Sequence, residues 1–547
     1  MKKEGKGFAM ILLTIIVVLI VLFCQYLCCI PLNLHSFAFD LELLIVILIV
    51  FVFTSGLINV PKNAKKNKIT ASLTVLTIIL AVFFIGVLIG SPYLGGLSNY
   101  ANQSVIKEID FEQIEEFDPN QVQLVDKNTA VQLGDRVFGT LGSDEVSQYD
   151  VGDDWVQIVL NGSLYRVTPI DFGGLFKYLV TKTTPGYITV DCENGDAKLM
   201  RSEGMKYMTS AYFNHNLERH LFLSDPTAIF GTPKFELDDD QKPYWVTPVL
   251  KVTWVGKTRD VKGVYVTDPV TGNSNYYDKS EVPAWVDNVY PVSLVYTQFA
   301  QSKRYENGLF NWSKKGIVEF TDDYAYVQFD NNVWIYTGVT SVGKDESNVG
   351  FAYVDLRNGE VSYIRRAGAE EYSARSSAEG AVQQYHYTAI FPSMVNVRNV
   401  PTYFMGLVDG ANLIKNYAFV SYENYQTVAV GNTVEEAYQN YLKLIGETPA
   451  VKPDEPIETA EKDFVVDEVR IIVKDGNSIV LLKDSNDQIY WYDLSGSYYA
   501  ASFIHEGDAI TAEVTGEGKI IEFIHIFPAE TTEETLTEHS LDDDSST

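Results

Sequence analysis

The sequence predicts an α+β protein: three N-terminal transmembrane helices, then antiparallel-sheet α+β units, then a small C-terminal β-barrel. Three observations predict it. Long apolar runs fill most of the first ninety or so residues, and a short strand–turn–strand phrase returns several times between 186 and 431. After a Pro/Glu-rich stretch, about five strand-like runs crowd into the segment 464–528.

The apolar runs come first. Phe8–Ile30 and Ile69–Ile89 carry no charge, and Leu41–Val60 has only Glu42 near one end. Each is about 20 residues or longer, enough for a helix to span the roughly 30 Å of a bilayer core. Lys2, Lys3 and Lys6 precede the first run, and Lys62, Lys65, Lys66 and Lys68 separate the second from the third. No Lys or Arg follows the third run until Lys107. Basic residues stay on the cytoplasmic side, so the expectation is a multi-pass cell-membrane protein with a cytoplasmic N-terminus and a large extracellular C-terminal part. A cleaved signal peptide is the competing reading of the first run, but no A-x-A-like site follows it.

The remainder divides by composition. Residues 1–95 form the expected three-helix anchor, and 96–185 a mixed, strand-rich region with an acidic stretch before Pro119. Within it, "DDWVQIVLNGSLYRVTPI" reads as a hairpin turning at Asn161-Gly162, and "FGGLFKYLV" as a short helix. Residues 186–445 carry the recurring phrase: "GYITVDCENGDAKLM", "GVYVTDPVTGNSNYYD", "GFAYVDLRNGEVSYI" and "NYAFVSYENYQTVAVG". Each precedes a helix candidate, the clearest being "NTVEEAYQNYLKLIGE", with Asn432 or Thr433 at its N-cap. The unit reads as strand, hairpin, helix at irregular spacing, which favours two or three α+β units over a solenoid of fixed period. Residues 446–463 form a linker, 464–528 a small barrel, and 529–547 an acidic tail without structure.

Charge narrows the function. Among 547 residues, 42 are basic and 72 acidic, a formal net charge of −30. Nucleic-acid binding needs a basic footprint, so that class is set aside. Cys24, Cys28 and Cys29 lie in the first apolar run and leave Cys192 alone afterwards, so the outer part holds neither an internal disulfide nor a cysteine-based metal cluster.

Two resemblances follow from the quoted residues. "KGVYVTDPVTGNSNYYD" resembles the hairpin of PepSY-type modules, which implies small α+β units that restrain peptidases or serve accessory binding roles. The stretch 241–445, with "KPYWVTPV", "EVPAWVDNVYP" and "AGAEEYSARSSAEG", is similar to an uncharacterised family of membrane-anchored proteins from Gram-positive bacteria, implying an envelope location and no transferable catalytic residue. "EGDAITAEVTGEGKIIEF" resembles the end of an OB-fold.

The chemistry-bearing motifs are sparse. Ser341 and Lys344 make an S-x-x-K in a Gly-containing loop, but the K-T-G and S-x-N companions that such a nucleophile needs are missing. His215 and His220 are five residues apart and diverge on a helix, unlike the four-residue step of a zinc-binding pair. Asp238, Asp239 and Asp240, and the segment 484–488, lack the spacing of a calcium loop. Aromatic residues cluster at Tyr244, Trp245, Trp254, Tyr276, Tyr277 and Trp285, and again at Tyr490, Trp491 and Tyr492. Alternation along strands sends most of them to a core, with the rest left for a neutral glycan or a cationic partner. The expectation is therefore a non-catalytic envelope protein acting in binding, scaffolding or regulation. It has no catalytic, metal or cofactor residues, contacts lipid through its spans, and has a membrane or envelope protein as partner. A hydrolase of wall polymers or peptides using Ser341/Lys344, and an accessory subunit of a transport or secretion complex, are the alternatives.

Overall fold

The computed structural model describes residues 16, 18–58, 64–99, 106–119, 125–252, 259–307, 311, 313–329, 332–342, 348–446, 459–474, 477–493, 504–515 and 518–528. The chain divides into two compact bodies, Met1–Ala437 and Tyr438–Thr547. The fold is mostly antiparallel β-sheet with interspersed helices.

The N-terminal expectation is corrected. Among the described residues no helix is long and apolar enough to cross a membrane. Helix α1 (Phe37–Ile58) carries Asp40 and Glu42 in its opening turns, so its uncharged run, 43–58, rises only about 24 Å. Helix α2 (Ala64–Asn99) opens on lysines and continues through Thr70, Ser72, Thr74 and Thr77. Its hydroxyl-free run, 78–90, rises about 20 Å, against the roughly 30 Å of a hydrocarbon core. Of the expected first span, only residue 16 and residues 18–28 are described as helix. The three transmembrane helices and the multi-pass cell-membrane location derived from them therefore fall. What the segment does is dock within the same body, around the first helix of the second module described below. Leu32 N–H donates to Pro226 O at 2.7 Å, Tyr26 OH to Asn214 Oδ1 at 2.9 Å, and the Arg219 guanidinium lies 4.6 Å from the Tyr26 ring centre.

Beyond β1 (Ile106–Glu108), the first body stacks four modules, each a helix followed by an antiparallel sheet. In the first, α3 (Lys127–Phe138) precedes β2 (Tyr149–Val151), β3 (Val156–Leu160), β4 (Ser163–Phe172), α4 (Leu175–Thr181), β5 (Thr184–Asp191) and β6 (Ala197–Met205). The β3–β4 turn is Asn161-Gly162, both at positive φ (53° and 88°), which matches the twist of the flanking strands. In the second, α5 (Leu217–Ser224) precedes β7 (Lys234–Leu237), β8 (Pro243–Val252), β9 (Arg259–Thr267) and β10 (Ser274–Asp278). The third runs from α6 (Val292–Tyr305) through β11 (Val318–Phe320), β12 (Ala325–Phe329), β13 (Asn332–Ser341), β14 (Asn348–Asp355) and β15 (Val361–Ile364). The fourth runs from α7 (Glu371–Ala381) through β16 (Thr388–Ala389), β17 (Ser393–Val397), β18 (Val400–Val408), β19 (Ile414–Ser421) and β20 (Val428–Gly431).

The recurring phrase builds the same turn three times. Asp191, Asp268 and Asp355 each accept, through Oδ1, the backbone N–H two residues on, at 2.9, 2.8 and 2.7 Å. Gly195, Gly272 and Gly359 each close the turn at φ 77°, 79° and 76°, a conformation a side chain opposes. The carbonyl after each aspartate then receives the chain leading into that module's own helix. Cys192 O accepts from Val125 N–H, Pro269 O from Lys206 and Tyr207 N–H, and Leu356 O from Val289 and Tyr290 N–H. In the fourth module Ser421 replaces the aspartate, and Tyr422 O accepts from Ala369 N–H. The receiving positions 125, 207, 290 and 369 lie about 80 residues apart. The period that looks irregular between hairpins is regular at these receiving positions, because the helix precedes its sheet and the hairpin closes the module.

Successive modules share cores. On β13, Val333 and Ile335 face a core with Val264 and Val266 of the second module, while Tyr336 faces one with Tyr403 and Met405 of the fourth. On β14, Ala352 and Val354 join the former and Phe351 and Tyr353 the latter. Period-two alternation thus gives each face of the sheet to a different neighbour. A further core joins Trp155 and Ile188 of the first module to Phe235 and Trp245 of the second.

In the second body, β21 (Thr459–Lys474), β22 (Asn477–Asp484), β23 (Ile489–Asp493), β24 (Ala509–Thr515) and β25 (Ile520–Phe527) form a sheet in the order 23-22-21-24-25. Trp491 N–H donates to Gly518 O at 2.9 Å, and a parallel bridge joins Trp491 to Lys519, so the two ends of the sheet meet. Of the expected linker, 446–463, residues 447–458 lie outside the described residues and 459–463 already belong to β21; the expected tail from 529 also lies outside them.

Candidate functional site

An open groove of about 460 Å³ lies where the first, third and fourth modules meet. One wall is β12, presenting Tyr326, Val327, Gln328 and Phe329; the other is β17, presenting 393–396, with Phe404 behind it. Among the described residues β12 pairs only with β13. The outer edge of β17 already carries a guest. The segment 114–118 runs parallel to it, with Phe117 N–H donating to Asn396 O and Asn396 Nδ2 donating to Ile114 O, both at 2.8 Å. Phe117 anchors that segment on Phe404 and Phe419, at ring-centre distances of 5.6 and 5.4 Å.

Glu115, Glu116, Asp118 and Glu193 line the groove. Glu116 is 3.3 Å from Arg398, whereas Glu115 and Glu193 have no ion-pair partner among the described residues. The turn chemistry holds Glu193 in place, since its backbone N–H is bound by Asp191. Behind the β12 wall, the Arg166 guanidinium lies 5.3 Å from the Tyr326 ring centre and its Nε donates to Val125 O at 3.3 Å. The site is therefore an anionic surface interleaved with Phe117, Tyr326, Phe329 and Phe404, suited to cations that carry apolar neighbours.

A second polar cluster is sealed. Glu236 on β7 is fully buried, and its carboxylate accepts from Asp287 and Asn288 N–H at 2.8 and 3.0 Å. Asp287 accepts from Val159 N–H at 2.7 Å, and Asn288 Nδ2 donates to Gln157 O at 3.0 Å, so the pair ties β3, β7 and the strand-to-helix connection of the third module. Arg357, in the β14–β15 turn, donates to the carbonyls of Val282, Pro283, Ala284 and Val286. Burial pushes Glu236 up to about 7, and burial together with the Glu236 charge raises Asp287 well above the carboxylate range. Neither group lines a described cavity.

The residues singled out from sequence fall elsewhere. Ser341 ends β13 and pairs with Val318, lining none of the described cavities; Lys344 lies outside the described residues, as does Trp254. His215 and His220 flank Tyr207 at ring-centre distances of 5.2 and 4.6 Å. His215 Nδ1 is bonded to Tyr178 OH at 3.0 Å, and His220 Nε2 to Gly272 O at 2.8 Å. Their role is packing of the second module's turn. Asp238 spends its carboxylate on Asp240 and Lys242 N–H, as Asp484 does on Asn486 and Gln488 N–H. Trp245 is buried, Tyr244 packs on Trp285 at 5.2 Å, and Tyr490 stacks on Phe464 at 4.0 Å. The groove residues carry one signal in the sequence, the acidic–aromatic run "IEEFDP", which follows a short 3-10 turn at Phe111–Gln113 and runs extended in the structure.

No protein-family profile matches the chain, and no curated protein matches it. Among solved structures, a crystal structure of an ACO/RPE65 chimera aligns with 9% identity and a TM-score of 0.15, over 70% of this chain and 62% of that chain. The chain thus spans less than two thirds of that protein's length, and a likeness this slight carries no argument about either fold or function.

Proposed function

We propose that the protein is a non-catalytic binding protein whose four stacked modules hold a groove for a cationic, partly apolar ligand. The observation that carries this reading is the convergence of Glu115 and Glu193, without ion-pair partners among the described residues, on a groove walled by Tyr326, Phe329 and Phe404. Enzymatic action finds little support. Ser341 lines no described cavity, and the carboxylate pair Glu236 and Asp287, strongly perturbed by burial, is shut away from solvent. The test is titration of the full chain with fluorescently labelled spermine at low and moderate salt. Binding is expected to weaken with salt and to fall about tenfold or more in the double variant E115K/E193K, as loss of charge complementarity demands. Absence of binding, or equal binding by the variant, overturns the reading.

A further inference from the structure

Resting on that reading, we propose that the groove's ligand is an extended basic peptide whose backbone pairs with the outer edge of β12. Edge strands in soluble proteins are blunted by charge, proline or bulges, because an open row of N–H and C=O groups recruits other strands. Strand β12, "AYVQF", has none of these devices in a chain of net charge −30. Its five residues are all half-buried, it pairs only with β13 among the described residues, and it lies along the groove.

The chain supplies its own precedent for this kind of pairing. The connection that precedes the first module adds two pieces of extended backbone to sheets further on. Strand β1 lies parallel to β15, with Ile106 opposite Val361 and Glu108 opposite Tyr363, and Glu116 bridges in parallel to Asn396 on β17. Those additions cap the edges of the third sheet at β15 and of the fourth at β17. The opposite edge of the third sheet, at β12, is left without a strand among the described residues, and the acidic segment 114–118 forms the far bank of the cleft it faces.

Geometry then sets the ligand's length and pattern. Five residues of strand extend roughly 17 Å, so about five peptide residues pair, with side chains alternating between the two faces. The face toward Glu115 and Glu193 takes cations. The residue over Tyr326 is apolar, since the Arg166 guanidinium already lies 5.3 Å from that ring's centre and repels a second cation. Main-chain bonds supply affinity and alternate side chains supply selectivity, as in other strand-addition complexes.

A labelled, end-capped peptide of alternating lysine and phenylalanine tests this on the full chain, beside the same peptide N-methylated at alternate amides and beside spermine. The unmodified peptide is expected to bind at least about tenfold more tightly than its N-methylated form, and to slow hydrogen exchange of the β12 amides. The conservative variant Q328T is expected to bind it as well as the wild type, whereas Q328P, which removes an N–H of the outer edge and leaves the ladder to β13 intact, is expected to lose it. Equal binding of the two peptides, or no change in β12 exchange at saturation, overturns strand pairing. If spermine binds and the peptide does not, the peptide proposal falls and the groove reading stands; if neither binds, both fall.

Discussion

At the scale of single residues, the three aspartate–glycine turns form a controlled comparison. Gly195, Gly272 and Gly359 share one backbone conformation, yet their surroundings differ. A Cβ built on Gly359 would lie 2.5 Å from the Tyr290 ring and one on Gly272 2.5 Å from the Tyr207 ring, whereas at Gly195 the nearest neighbour is Leu133 at 3.7 Å. Alanine at 195 therefore costs only the left-handed conformation, about 1 kcal/mol. Alanine at 359 adds displacement of a buried tyrosine whose ring also carries the Lys279 ammonium at 4.7 Å, for a total of roughly 3 kcal/mol. Chemical denaturation of G195A and G359A checks the ordering, and equal losses contradict it. These turns are legible in the sequence because their chemistry is local: an aspartate, three residues and a glycine fix the backbone within five positions. The same locality makes the start of the helix Val434–Leu444 legible. Thr433 Oγ1 accepts from Glu436 N–H at 3.1 Å and Glu436 Oε2 accepts from Asn432 N–H at 2.7 Å, a reciprocal cap written in "NTVEE".

Between elements, the sealed carboxylates on β7 and ahead of α6 make the joint of the first three modules sensitive to protons. Glu236 faces Asp287, Asn288, Arg357 and Tyr326, and Asp287 faces Glu236, Arg357 and Asp355. A carboxyl raised in the folded state keeps a proton that the unfolded chain releases above about pH 4.5. Its contribution therefore favours folding at low pH and is lost as pH rises through the folded value, about 7 for Glu236. Asp171, pushed up to about 6 by burial, acts in the same direction. Stability of the wild type is expected to decline between pH 5 and 7.5. Asn at 287 keeps an acceptor for the Val159 N–H and cannot ionise, so D287N is expected to decline less steeply, by up to about 1.4 kcal/mol per pH unit. Denaturant midpoints of both proteins across that range decide it, and parallel curves sink the assignment. None of this joint is legible in the sequence: Gln157, Val159, Glu236, Asp287 and Arg357 are separated by up to two hundred or so residues, and a buried glutamate looks like any other. The phase of the repeat is hidden for a related reason. Hairpin and helix are each readable, but which sheet a helix serves is decided by contacts such as Tyr290 N–H to Leu356 O.

Over the whole molecule, shared cores mean that no module of the first body owns its stability. Sequence reading finds the pieces but neither the stacking order nor the groove, because both arise where strand edges from distant segments face each other: 115–118, 193, 326–329 and 393–404. It also reads apolarity in the N-terminal segment as membrane spans, whereas among the described residues no helix is long and apolar enough to cross a membrane, with Asp40 and Glu42 in the opening turns of the first and hydroxyls along the first half of the second. The stack gives a direct prediction. Phe299 on α6 is fully buried, stacks on Phe320 at 3.9 Å and meets Tyr363 edge-on at 5.8 Å, inside the core that also holds Val264 and Val266 of the second module. Truncation to alanine leaves a cavity costing about 3–5 kcal/mol. In an array of this kind the loss spreads to nearest neighbours and decays beyond them. Hydrogen exchange of F299A is expected to accelerate at Val264 and Val266 as well as at Ala352 and Val354, with smaller changes at Ile158 and Ile188 of the first module. Acceleration confined to the third module would mean that the second and third sheets close independent cores, and the stack would then be a string of separate units.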